Sequence, residues 1–272
     1  MNFIEKLERA QKKNSSLLCV GLDPSLDRLP ESCRVQSQPF LVFNRALIDA
    51  TSDLVCAYKP QIAHYAACGA EAELLATISY IHDNYADIPV ILDAKRGDIG
   101  STAEKYALEA FERYQADAVT VNPYLGGDSL EPFLKYEEKG VVILCRTSNP
   151  GSGELQGLEV DGEPVYLKLA GLAAASWNKN RNILLVVGAT WPAELARVRE
   201  VVGEMPLLVP GVGVQGGNLA AVLRAGLDSR GAGLVINSSR GIIYAGQGEG
   251  YVEAARQAAL ELRDAINSHR QI

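Results

Sequence analysis

The residues best suited to chemistry lie in Val90-Ile-Leu-Asp-Ala-Lys-Arg-Gly-Asp98, an apolar run that ends in Asp93-x-Lys95-x-x-Asp98. Side chains alternate faces along a strand, which puts Asp93 and Lys95 on one side. Gly97 then breaks the strand and throws Asp98 out on a turn. Just beyond, Ser101 and Glu104 match a capping box and predict a helix with Ser101 as N-cap. An ammonium held between carboxylates can offset developing negative charge and can donate a proton. The competing reading is a structural ion pair, each charge only offsetting the desolvation of the other. Three charges in this order at a single strand-to-helix turn favour a site.

The elements that must position these residues alternate along the whole chain. β-rich runs occur at Leu17–Asp23, Leu54–Pro60, Pro89–Lys95, Ala118–Pro123, Val141–Ser148, Ile183–Thr190, Leu207–Gly213 and Leu234–Ser239. Helical patterns follow at Phe40–Ser52, Ala70–Asn84, Thr102–Gln115, Ser129–Lys139, Tyr166–Asn178, Ala193–Val202, Gly217–Ala225 and Tyr251–Ser268. Eight strand–helix units in 272 residues predict one α/β domain, a single (β/α)8 TIM barrel over residues 1–272. An open doubly wound sheet is the alternative. The Gly-rich connection 149–162 reads either as a mobile lid or as an insertion without a role.

In a barrel, catalytic groups gather at the C-terminal ends of strands. Those ends carry Asp23, Lys59, Asp93 with Lys95, Asn122, Thr147 with Ser148, Thr190, Gly211 with Gly213, and Arg240 just past the eighth. Charges cluster at the first three ends, and the last two suit a phosphate. Pro210-Gly-Val-Gly-Val-Gln-Gly-Gly217 satisfies G-x-G-x-x-G, yet six strands precede it and no acid ends the next strand. A dinucleotide site is therefore rejected in favour of a phosphate cradle, in which backbone N–H groups and the Arg240 fork hold the anion.

The net charge of −7 argues against nucleic acid or an anionic membrane as partner. No apolar run approaches the roughly 20 residues of a membrane helix. The charged N-terminus lacks the apolar core of a secretory signal. Five cysteines without a C-x-x-C pair suit a reduced, cytoplasmic protein.

Taken together, Gly-Leu-Asp23-Pro, Tyr-Lys59-Pro, Asp93-Ala-Lys95-Arg-Gly-Asp98-Ile-Gly-Ser-Thr102, Pro210-Gly-Val-Gly-Val-Gln215 and Arg240 resemble orotidine 5′-phosphate decarboxylases. The form of the third motif is similar to that of their longer, mainly bacterial branch. The resemblance implies cofactor-independent and metal-free decarboxylation of orotidine 5′-phosphate to UMP, the last step of de novo pyrimidine synthesis. It implies a catalytic network of Lys59, Asp93, Lys95 and Asp98, with Lys95 protonating the C6 carbanion. It further implies a homodimer in which Asp98, Ile99 and Thr102 serve the partner's site. Asp23 would touch ribose, Ser148 the pyrimidine, and Pro210, Gln215 and Arg240 the phosphate end.

Two other readings remain. A related Mg²⁺-dependent sugar-phosphate decarboxylase or aldolase would place a metal-binding glutamate where this chain has Lys59, and an ammonium cannot join a carboxylate cage for a hard cation. A non-catalytic phosphate-binding barrel would not be expected to keep all four charges. His64, His82 and His269 lack metal-ligand spacing. Trp177 and Trp191 read as packing residues, and Tyr244 as a support for the Arg240 turn.

Overall fold

The structure, a computed structural model, describes residues 1–212 and 218–270. Eight parallel strands form its centre: β1 (Leu18–Leu22), β2 (Ala57–Pro60), β3 (Ile91–Arg96), β4 (Ala118–Val121), β5 (Gly140–Arg146), β6 (Ile183–Val187), β7 (Leu207–Pro210) and β8 (Leu234–Ser238). Their order is β2-β1-β8-β7-β6-β5-β4-β3. Bridges from Tyr58 to Val90 and from Gln61 to Asp93 bring β2 against β3 and close the ring. Closure excludes the open doubly wound sheet and delivers the barrel expected from the strand–helix alternation.

The strands are short runs of Val, Leu and Ile because both of their faces are covered. Alternate residues point inward, where Cys19, Ala57, Ile91, Ala118, Val142, Leu184, Leu208 and Val235 form an apolar plug. The other series packs against the surrounding helices. Helix α1 (Phe3–Lys13) seals the N-terminal end of the barrel. It is capped by Asn2 and Glu5 in reciprocal hydrogen bonds, and it inserts Phe3 and Leu7, each burial stabilising by about 1.5–3 kcal/mol. Phe3 lies where a Cβ on residue 140 would have to go, so the glycine that starts β5 is a packing requirement.

Three local expectations are corrected. The helix after β3 spans Gly100–Leu108 with Ile99 at its N-cap position, and Ser101 makes no capping bond. The helix starts early because Gly100, at φ +51°, turns the chain into it without a side-chain penalty. The pattern at 129–139 yields only one helical turn, Glu131–Leu134, and the Leu134 and Lys139 carbonyls accept from the Asn180 and Asn182 side chains instead of from a continuing helix. The stretches 102–115 and 166–178 each finish in a wide turn, Glu109–Arg113 and Ala173–Trp177.

Candidate active site

Lys59 and Asp93 are the third residues of β2 and β3, two positions beyond the inward-facing Ala57 and Ile91. The barrel period therefore delivers both to the floor of its C-terminal mouth. Lys59 Nζ donates to Asp93 Oδ2 at 2.8 Å, and Lys95 Nζ donates to Oδ1 at 2.7 Å. The Thr120 hydroxyl donates to the same Oδ1 at 2.9 Å. Lys59 is 4% exposed and Asp93 7%, so neither charge is stabilised by bulk water. Burial pushes the Asp93 carboxyl up, but Lys59 and then Lys95 outweigh it and hold it well below the usual carboxylate range. Burial pulls the Lys59 ammonium down, and Asp93, with Asp23 behind it, lifts it above an ordinary lysine.

Lys95 reaches Asp93 by a route other than strand alternation. Between the pairs Leu92–Val119 and Arg96–Val121, the chain advances four positions on β3 against two on β4. In this bulge Lys95 takes φ +48°, a left-handed conformation that costs a non-glycine residue about 1–3 kcal/mol. Its side chain is 47% exposed and lines a cavity of about 540 Å³ with Asp93, Thr120, Ser148, Leu144 and Val186. A second cavity of about 180 Å³ is lined by Asp23, Asn237, Gly211 and Arg240. Lys59 and Pro210 line both, which makes them one continuous cleft. Its floor is charged at β2 and β3 and apolar at β5 and β6.

The phosphate-compatible end is built by close approach of β8 to β1. A Cβ on Gly21 would run into the Ser239 hydroxyl, so glycine there admits the turn that carries Arg240, which is exposed at the cleft rim. Among the described residues, the buried Asp23 Oδ1 and Asn237 Oδ1 have no hydrogen-bond partner. Buried acceptors without partners are rare, and two in one cleft are points that a hydroxyl-bearing ligand would satisfy. Gln215 lies outside the described residues.

Asp98, Ile99 and Thr102 are not in this cleft. Asp98 accepts the N–H of Ile99 at 2.8 Å and has no ion pair among the described residues, so the expected quartet is a trio within one chain. Ile99 is 58% exposed, and Tyr124 and Leu125, after β4, are 79% and 45% exposed. These exposed apolar side chains share one rim of the barrel, just past the ends of the neighbouring strands β3 and β4.

Several residues escaped the sequence reading. Thr120 and Asn237 are interior strand positions whose polarity was the available signal. Arg146, at the end of β5, is 5% exposed; it bonds the Ser152 hydroxyl and lies 4.3 Å from the Trp191 ring centre. Trp191 donates to the Thr147 carbonyl at 2.9 Å, and Gln156 accepts the Thr147 N–H at 2.8 Å. Trp191 thus does more than fill space: it fixes Thr147, while Arg146 and Gln156 tie the 149–162 loop to the end of β5. Trp177 packs against Gly127. Tyr244 supports the first loop instead of the Arg240 turn, its hydroxyl accepting the Ser25 N–H at 2.7 Å. His64, His82 and His269 bond Pro24, Asp117 and Ala265 away from the cleft.

Residues 16–257 match the family model described as Orotidine 5′-phosphate decarboxylase / HUMPS family. Proteins named orotidine 5′-phosphate decarboxylase from Dechloromonas aromatica and Cellvibrio japonicus are 59% and 58% identical to this chain, over 99% of it and all of each relative. The structure of Leishmania donovani OMP decarboxylase superposes with a TM-score of 0.86 at 42% identity, covering 100% of both chains. A matching barrel, a matching full-length sequence and a charged trio at the expected strand ends agree, and the chain belongs to the orotidine 5′-phosphate decarboxylase / HUMPS family.

Proposed function

We propose that Lys59, Asp93 and Lys95 carry the decarboxylation of orotidine 5′-phosphate to UMP and carbon dioxide, with Lys95 as proton donor. The activity is that of the full-length relatives at 59% and 58% identity. One observation carries the assignment of residues: two ammonium groups grip one buried carboxylate, at 2.7 and 2.8 Å, on the floor of the cleft. When the bond from C6 to the carboxylate breaks, its electron pair stays on C6 of a ring that cannot delocalise it. Lys95 stabilises that charge and then transfers a proton from Nζ to C6. Asp93 orients both lysines and offsets their positive charge. Since lysines take both Asp93 oxygens, the donor set suits an organic anion better than a hard divalent cation, which counts against the Mg²⁺-dependent branch.

In this reading the pyrimidine lies beside Ser148 and Lys95, the ribose hydroxyls meet Asp23, and the phosphate reaches Pro210, Gln215 and Arg240. Asp98, Ile99 and Thr102 act across the two-fold axis of a homodimer, where Asp98 completes the partner's network. Their position outside their own cleft, beside the apolar rim, supports this. The chain works as one domain in the cytoplasm. Four of its cysteines are buried and all five are free, in keeping with reducing surroundings, and among the described residues no helix is long and apolar enough to cross a membrane.

The test is conversion of orotidine 5′-phosphate, followed by loss of its absorbance, after exhaustive treatment with EDTA. Activity should survive. Loss of activity with specific restoration by Mg²⁺ would move the protein to the sugar-phosphate branch.

A further inference from the structure

We infer that Thr120 is the positioning residue of this site, and that its hydroxyl holds the backbone of Ala94 and Lys95 in the bulge that aims the Lys95 ammonium. The inference rests on the reading of Lys95 as proton donor and adds a residue to it. Two successive N–H groups, those of Ala94 and Lys95, converge on Thr120 Oγ1, each at 2.9 Å. Both belong to the part of β3 that has slipped out of register with β4, where the regular ladder no longer supplies carbonyl partners. An unpaired backbone N–H at this depth would oppose the conformation. One hydroxyl satisfies both.

The same hydroxyl also fixes Asp93. A threonine hydroxyl has one proton and two acceptor sites. With both acceptor sites filled by N–H groups, the proton is left for Asp93 Oδ1 at 2.9 Å. Thr120 is 1% exposed, so bulk water cannot stand in for it. Packing alone does not explain the choice. The rest of β4 is Ala118, Val119 and Val121, and β5 and β6 line the same cavity with Leu144 and Val186. A valine would fill the same space. What valine lacks is the three-way hydrogen bond linking the strained residue, its neighbour and the carboxylate that receives Nζ.

The experiment compares Thr120→Val, nearly isosteric, with Thr120→Ser, which keeps the hydroxyl. Loosening a reacting group by about 1 Å can cost on the order of 10²-fold in rate. Thr120→Val should lose that much in kcat while KM for orotidine 5′-phosphate and binding of UMP change by less than about threefold, because the phosphate and ribose contacts lie elsewhere in the cleft. Thr120→Ser should recover most of kcat. Thr120→Cys replaces valine if the valine protein does not fold, since a thiol is a weak acceptor of similar size. Wild-type kcat in Thr120→Val, or in its cysteine substitute, would overturn the inference, and so would a folded serine variant as impaired as the valine one. Measuring Lys95→Ala alongside separates the two levels. If that protein keeps its activity, the assignment of the proton donor has failed; if it is inactive while Thr120→Val matches wild type, only the role of Thr120 has.

Discussion

Replacing Asp93 with asparagine should damage stability more than replacing Lys59, although the two share one ion pair. In Asp93→Asn the Lys59 ammonium, 4% exposed, faces a neutral amide, and breaking a buried pair in this way costs about 3–5 kcal/mol. In Lys59→Met the carboxylate keeps Lys95 at 2.7 Å and Thr120 at 2.9 Å, so the loss should be nearer 1–3 kcal/mol, that of one missing partner. Lys59→Met/Asp93→Leu removes both members of the pair and should regain about 2 kcal/mol or more over Asp93→Asn, because neither is left buried without the other. The pH dependence follows with a definite sign. The folded pKa of Asp93 is depressed, so its contribution is present above the unfolded value of about 4 and is lost as pH falls further. That of Lys59 is raised, so its contribution is present below the unfolded value of about 10.4 and is lost as pH rises through the folded one. From about pH 5 to 9 the pair in the wild type is therefore constant. In Asp93→Asn the orphaned ammonium favours its neutral form, and raising the pH towards about 9 should restore stability. Urea unfolding followed by circular dichroism, at fixed protein concentration and several pH values, reads all of this. An Asp93→Asn midpoint equal to wild type, or a Lys59→Met protein less stable than Asp93→Asn, would refute the account of the pair.

Arg240→Ala should lower kcat/KM by about 2–5 kcal/mol for orotidine 5′-phosphate and hardly at all for orotidine; equal losses for both would show that Arg240 does not grip phosphate. Subunits of inactive Lys95→Ala and Asp98→Ala proteins, allowed to exchange, should recover roughly a quarter of wild-type activity, since about half of the dimers are mixed and each mixed dimer holds one intact site. Co-purification of differently tagged subunits without any recovery would place Asp98 in its own chain's site.

The barrel and the location of its mouth were legible because each rests on repetition: a strand pattern and a helix pattern eight times over, with charge at the strand ends. Lys59 and Asp93 could be placed by counting, since period 2 carries Ala57 to Lys59 and Ile91 to Asp93. The same counting put Lys95 beside Asp93 for the wrong reason. A bulge and a left-handed residue bring them together, and neither has a signature when lysine occupies the position. Thr120 stood out by its polarity, but one polar residue in an apolar strand shows its role only when a neighbouring strand slips. Asn237 meets Asp23 in the cleft only because β8 pairs with β1, and Trp191 reaches back to Thr147; the ties of Arg146 and Gln156 are local but follow no repeat. Helix α1 was within reach, because Asn2 and Glu5 form a capping box around an apolar series of Phe3, Leu7 and Ala10, but the charged residues between them mask that face.

The double role proposed for Lys95 is to stabilise the carbanion and to deliver its proton. Single-turnover decarboxylation by Lys95→Ala, with UMP binding measured on the same preparation, tests it most directly. Loss of a proton donor costs about 10²–10⁴-fold, and loss of the electrostatic contribution adds to it. Lys95→Ala should give a folded protein that binds UMP and has lost at least that much of its rate. A Lys95→Ala enzyme that retained a tenth of wild-type activity would contradict it.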